Sequence, residues 1–181
     1  SGDDTIHGDA LYDFIFGGGG ADTAYGYAGA DDIFGGTGGD TLYGGDDGDV
    51  IGGGRQDDTI YGDDGEDVLL GNLGDDTIYG GDDNDEIWGG FGADTLFGDD
   101  GEDVIYGNQP EFGVPGVDSD LEDKAGDDMF GGDDNDEFYG FCDDLDSATE
   151  FIGEGDLDEA FAIALLFGEI EFSDDACEPE V

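Results

Sequence analysis

The sequence predicts an all-β fold: a parallel β-roll, that is, a right-handed solenoid with two nonapeptides per coil, closed by a non-repeat C-terminal cap. Three observations predict it. Stepping by nine from Gly8, every landing through Gly107 is glycine. Five places after each glycine from Gly8 to Gly98 stands an aspartate. Two places after each aspartate stands an aliphatic residue, from Ile6 and Ile15 to Ile105, with Ala24 the small exception.

Each nonapeptide divides into a turn and a strand. Its six glycine-rich residues lose too much entropy in a helix but reach the positive-φ conformations of a tight turn. The remaining three, as in Thr59-Ile60-Tyr61, point outward, inward and outward, and are β-branched or aromatic as strands prefer. Two units make a flattened coil of eighteen residues, and the next coil stacks about 4.8 Å further along. Side chains eighteen apart then meet. Ile6, Ala24, Leu42, Ile60, Ile78 and Leu96 form one interior column, and Ile15, Ile33, Ile51, Leu69, Ile87 and Ile105 the other. The aspartates stack along the two edges: Asp4, Asp22, Asp40, Asp58, Asp76 and Asp94 on one, Asp13, Asp31, Asp49, Asp67, Asp85 and Asp103 on the other.

Written out, the unit is G-G-x-G-x-D-x-U-x, which resembles the calcium-binding RTX (repeats-in-toxin) nonapeptide. The resemblance runs over residues 1–108 and again over 124–139. It implies a calcium-dependent module of a secreted, extracellular protein. Leu11, Asp47, Gln56 and Asp83 stand where the pattern has its fourth-position glycine.

Charge leads to the same ion independently. The chain has 53 Asp and Glu against two basic residues, Arg55 and Lys124, for a formal net charge of −51. Stacked like charges repel unless a cation lies between the rungs, and the chain cannot supply enough of its own. Calcium takes six to eight oxygens and tolerates irregular cages of carboxylate and backbone carbonyl, whereas magnesium demands near-ideal octahedra. Six rungs leave five gaps on each edge, so about ten ions are expected. Without them the chain is too hydrophilic and self-repelling to order. Salt adaptation is the competing explanation of the acidity, but it does not account for aspartate at one place in nine.

The register breaks after Asn108. Residues 109–123 hold two of the three prolines and read as an inserted loop. Over 124–139 the repeat resumes, with Asp127 and Asp136 in the aspartate slot and "GGDDNDEFY" at 131 echoing "GGDDNDEIW" at 80. Residues 140–181 read as the cap. There Leu157, Phe161, Ala164 and Leu165 fall at helical spacing behind a candidate N-cap, Asp156, with Gly168 as a stop, so a short helix or a strand covers the last coil. Cys142 and Cys177 flank this segment and suit a disulfide in an oxidising compartment, a departure from RTX proteins exported in one step, which usually lack cysteine.

Several functions are excluded or disfavoured. Two basic residues are too few for nucleic acid or a polyanionic ligand. No apolar run of eighteen residues spans a membrane. Catalytic motifs are absent, and the sole histidine, His7, fills a strand slot that tyrosine takes elsewhere. The chain starts within a repeat at Ser1-Gly2, which reads as a segment of a longer parent, a secreted hydrolase being one candidate. Two outer faces remain as binding surfaces. One carries a threonine ladder, Thr5 to Thr95, beside Tyr25, Tyr43, Tyr61, Tyr79 and Phe97; the other carries Phe14, Phe16, Phe34, Val50, Val68, Leu70, Trp88, Val104 and Tyr106. Cross-strand pairing explains the first, since ice-binding rolls place threonine in the turn and here only Thr37 lies there. The apolar face is of a size that usually meets a protein or surface partner.

Overall fold

A computed structural model of the chain describes residues 1–107, 127–133, 136–139 and 152–153. Every described element is a strand. In order they are β1 (Thr5–His7), β2 (Phe14–Gly19), β3 (Thr23–Ala28), β4 (Asp32–Thr37), β5 (Thr41–Asp46), β6 (Val50–Arg55), β7 (Thr59–Asp64), β8 (Val68–Leu73), β9 (Thr77–Asp82), β10 (Glu86–Phe91), β11 (Thr95–Asp100), β12 (Val104–Tyr106), β13 (Asp128–Asp133), β14 (Glu137–Tyr139) and β15 (Ile152–Gly153). Odd-numbered strands form one sheet in the order β1-β3-β5-β7-β9-β11-β13-β15, and even-numbered strands the other, β14-β12-β10-β8-β6-β4-β2.

All pairings are parallel, and up to β12 each residue sits beside the one eighteen places on, as in Ile15↔Ile33, Ile33↔Ile51 and Ile60↔Ile78. The chain thus alternates between two sheets and makes about six turns. Leu96 then pairs with Met129 and Ile105 with Phe138, a separation of eighteen plus the fifteen inserted residues, so the coil closes on the same register beyond the loop.

Most strands are six residues long rather than the expected three. The glycines after the aliphatic residue continue the ladder, as Gly18↔Gly36 and Gly19↔Thr37 show, because a coil stacked in register offers its neighbour partners in the turn as well as in the strand. Inside lie the two predicted columns. Ile33, Leu42, Ile51, Ile60, Leu69, Ile78, Ile87, Leu96 and Ile105 are completely buried, Met129 extends one column, and Ile6 packs against the first rung half-buried.

No helix among the described residues is long and apolar enough to cross a membrane. The inserted loop 109–123, the helical spacing around Leu157 to Leu165 and the Cys142–Cys177 pair lie outside the described residues.

Candidate metal centre

The aspartates that recur every nine residues turn inward at the two edges of the roll. Asp22, Asp31, Asp40, Asp49, Asp58, Asp67, Asp76, Asp85, Asp94, Asp103, Asp127 and Asp136 are all buried. One oxygen of each is tied to the preceding coil. The backbone N–H of Asp4 donates to Oδ1 of Asp22 at 2.7 Å, that of Asp40 to Asp58 at 2.7 Å and that of Asp85 to Asp103 at 2.8 Å. Asp94 and Asp103 donate in the same way to Asp127 and Asp136 across the insertion, both at 3.0 Å. Each edge is therefore a chain of carboxylate-to-amide links running along the solenoid axis.

In nine of them the second oxygen has no such link. Oδ2 of Asp22, Asp31, Asp40, Asp49, Asp58, Asp67, Asp76, Asp85 and Asp103 is buried with no hydrogen-bond partner. A buried carboxylate oxygen left in this state is costly. Burial accordingly raises the carboxyls of Asp31, Asp40, Asp49, Asp58, Asp67, Asp76, Asp85 and Asp103, against the lowering effect of the backbone N–H bond. Asp49 and Asp76 are pushed up to about 6, Asp67 and Asp103 to about 7, and Asp58 and Asp85 to about 8. Neighbouring aspartates raise them further.

Glycine makes room beside this oxygen. A methyl group on Gly17 would lie 2.6 Å from Oδ2 of Asp22 and 2.8 Å from the carbonyl oxygen of Gly35, one coil further on. The same two kinds of oxygen, a carboxylate and a carbonyl of the next coil, surround the matching point at Gly26, Gly44, Gly62 and Gly80. Glycine is needed here for space between oxygens, not for an unusual φ. Oxygens converging around an orphaned, buried negative charge suit a hard divalent cation. Among the described residues no three His, Cys, Asp or Glu side chains come together as a metal cluster. That is the outcome expected where one carboxylate per turn is joined by backbone carbonyls instead of by further acidic side chains.

The ends of the ladder differ. Asp4 is exposed and Asp13 only half-buried, and Oδ2 of Asp13 accepts from the N–H of Asp9 at 2.7 Å. Of the non-glycine residues at the fourth position of the unit, Asp47, Gln56 and Asp83 keep the left-handed turn, with φ of 74°, 68° and 81°, whereas Leu11 does not adopt a positive φ and the strand before it, β1, stops at His7. Tyr27, Asp63, Asn72 and Asp99, at the second position, are left-handed too, at 72° to 81°.

A family model, the RTX calcium-binding nonapeptide repeat in four copies, matches residues 1–32, 13–42, 25–60, 43–78, 61–96 and 79–109. Those matches together cover residues 1–109 without a gap. The chain belongs to the RTX calcium-binding repeat family. No curated protein matches it. The RTX roll is a calcium-binding repeat module, and its turns are where the carboxylate and carbonyl oxygens converge.

One asymmetry of the RTX roll is visible in its sequence only once the eighteen-residue coil is imposed. The third position of the turn carries Asp46, Asp64, Asp82 and Asp100 in register along one edge, and Thr37, Arg55, Leu73 and Phe91 along the other. One rim is strongly acidic and the other is free of carboxylates at that position.

Proposed function

We propose that this chain is the calcium-dependent structural module of a secreted RTX-type protein, too self-repelling to fold when metal-free and ordered by calcium on reaching the extracellular side. The observation that carries this is the row of buried Oδ2 atoms without a partner. Each ion would be held by the inward aspartate of a turn and glycine carbonyls of adjoining coils, with Asp4, Asp13, Asp22, Asp31, Asp40, Asp49, Asp58, Asp67, Asp76, Asp85, Asp94, Asp103, Asp127 and Asp136 as the carboxylate donors. Over residues 1–108 the six rungs of each edge leave five gaps, so about ten ions are expected there. With free calcium tenfold above its Kd, each site adds about 1.4 kcal/mol, and sites of extracellular modules typically bind at about 10⁻⁴ to 10⁻³ M. They would be nearly empty in a cytosol and filled outside the cell.

In this reading residues 1–108 form the main roll, 109–123 an excursion, 124–139 the last repeats and 140–181 the cap of the exposed end. Calorimetric titration of the metal-free chain with calcium, followed in parallel by circular dichroism, tests the proposal. A cooperative gain of β-structure with uptake of about ten ions supports it; the same transition in matched sodium chloride without calcium points to salt adaptation instead.

A further inference from the structure

The apolar outer face of the even-numbered sheet is interrupted. Its outward column runs Phe16, Phe34, Gly52, Leu70, Trp88, Tyr106 in register, and at Gly52 a rung is missing. Phe34 leans into the space, so that a methyl group on Gly52 would lie 3.1 Å from its ring. Beside the notch is a groove of about 470 Å³, within the size range of small-ligand sites. Its floor is the glycine backbone at Gly36, Gly53 and Gly54, and its apolar walls are the rings of Phe14, Phe16 and Phe34 with Leu73 opposite.

Two features set this groove apart from the rest of the surface. None of its lining residues is acidic, in a chain with 53 acidic residues. It also contains Arg55, the only Lys or Arg among the described residues. Arg55 is exposed, its register neighbours at the third turn position are Thr37 and Leu73, and its guanidinium makes no ion pair with a described residue. In a protein of this charge, a cation with no ion-pair partner among the described residues is available to an external anion. Leu73, well inside the sheet, is 41% exposed, so an apolar wall beside Arg55 is equally available.

We propose that this groove binds a small organic acid with an apolar body: an aromatic or branched aliphatic carboxylate whose ring or chain lies against Phe14, Phe16, Phe34 and Leu73 while Arg55 donates to its anionic end. The pairing is selective by charge. The field of the roll rejects anions elsewhere, and among the described residues only here does a guanidinium donor fork stand beside an apolar wall.

The test uses the full chain saturated with calcium and the fluorescent probe anilinonaphthalene sulfonate, an anion with an aromatic body, alongside its uncharged analogue phenylnaphthylamine. Circular dichroism confirms that every variant folds with calcium. One-to-one saturable binding of the anionic probe is expected, weakened about tenfold or more in Arg55→Gln and in Leu73→Asp, and retained in Arg55→Lys. The proposal is overturned by equal binding to folded Arg55→Gln, by equal or tighter binding of the uncharged analogue, or by absence of saturable binding. Loss of binding as the protein concentration rises overturns it as well, because a second copy would then be the occupant of the groove.

Discussion

Asp67 shows in one side chain how the roll is built. Its Oδ1 accepts the N–H of Asp49 at 2.7 Å and its Oδ2 is buried without a partner. Asp67→Asn keeps the shape and the first bond but removes the charge. The expected result is a calcium stoichiometry lower by about one ion and a calcium midpoint shifted upward, read by calorimetry. Gly62 is the complementary residue. A methyl group there would fall on Oδ2 of Asp67 and on the carbonyl oxygen of Gly80, so Gly62→Ala should destabilise the calcium-loaded roll by about 2–3 kcal/mol through overpacking. At Gln56 the direction reverses. Its φ of 68° strains a residue with a side chain, and the bond it accepts from Gly38 at 2.8 Å is shared with the carbonyl oxygen of Arg55. Gln56→Gly should therefore stabilise the loaded fold by about 0.5–1 kcal/mol, seen as a higher Tm.

At the scale of the strand, alternation decides what each side chain is worth. Leu69 and Leu70 are adjacent in β8, one completely buried and the other half-exposed on the outer face. Leu69→Ala should cost about 2–5 kcal/mol, and Leu70→Ala no more than about 1 kcal/mol; similar losses at the two positions in calcium-loaded thermal unfolding would contradict the assigned facing. The opposite sheet presents an unbroken column of rings. His7 stacks on Tyr25 at 5.1 Å, and Tyr25, Tyr43, Tyr61, Tyr79, Phe97 and Phe130 follow at 4.8–4.9 Å with interplanar angles of 3–12°. Rings stacked this closely cover one another's faces. The threonine and tyrosine ladder therefore reads as cross-strand packing, which leaves little ring surface for a ligand.

For the whole molecule the governing quantity is charge. Buried carboxyls raised to about 6 in Asp49 and Asp76, about 7 in Asp67 and Asp103 and about 8 in Asp58 and Asp85 titrate near 4 when the chain is unfolded. Between those values the metal-free folded chain holds more protons than the unfolded one. Each pH unit gained in that window costs stability of about 1.4 kcal/mol per group. The metal-free roll is thus most favoured below pH ~4 and is lost as pH rises through 6 to 8. In chelator, circular dichroism should show more β-structure at pH ~5 than at pH ~8, while the calcium-loaded chain stays folded at both; a metal-free roll fully ordered at the higher pH would refute the role given to the ions. Protons and calcium compete for the same oxygens, so calcium affinity should rise over that range.

The coil length, both interior columns and the edge of every aspartate were legible in the sequence because a strict eighteen-residue coil turns spacing directly into contact. Asp127 and Asp136 were legible for the same reason, since an insertion of fifteen residues shifts the numbering but not the phase. Tertiary structure alone decided the rest. Only stacked neighbours extend the strands through the glycines, hold Asp47, Gln56 and Asp83 in left-handed turns, and leave one carboxylate oxygen bonded and the other bare. Only the closed coil brings Arg55 beside Phe14 and Phe34, residues more than twenty apart in the chain, because a groove depends on which coils are neighbours and on a rung that is missing between them.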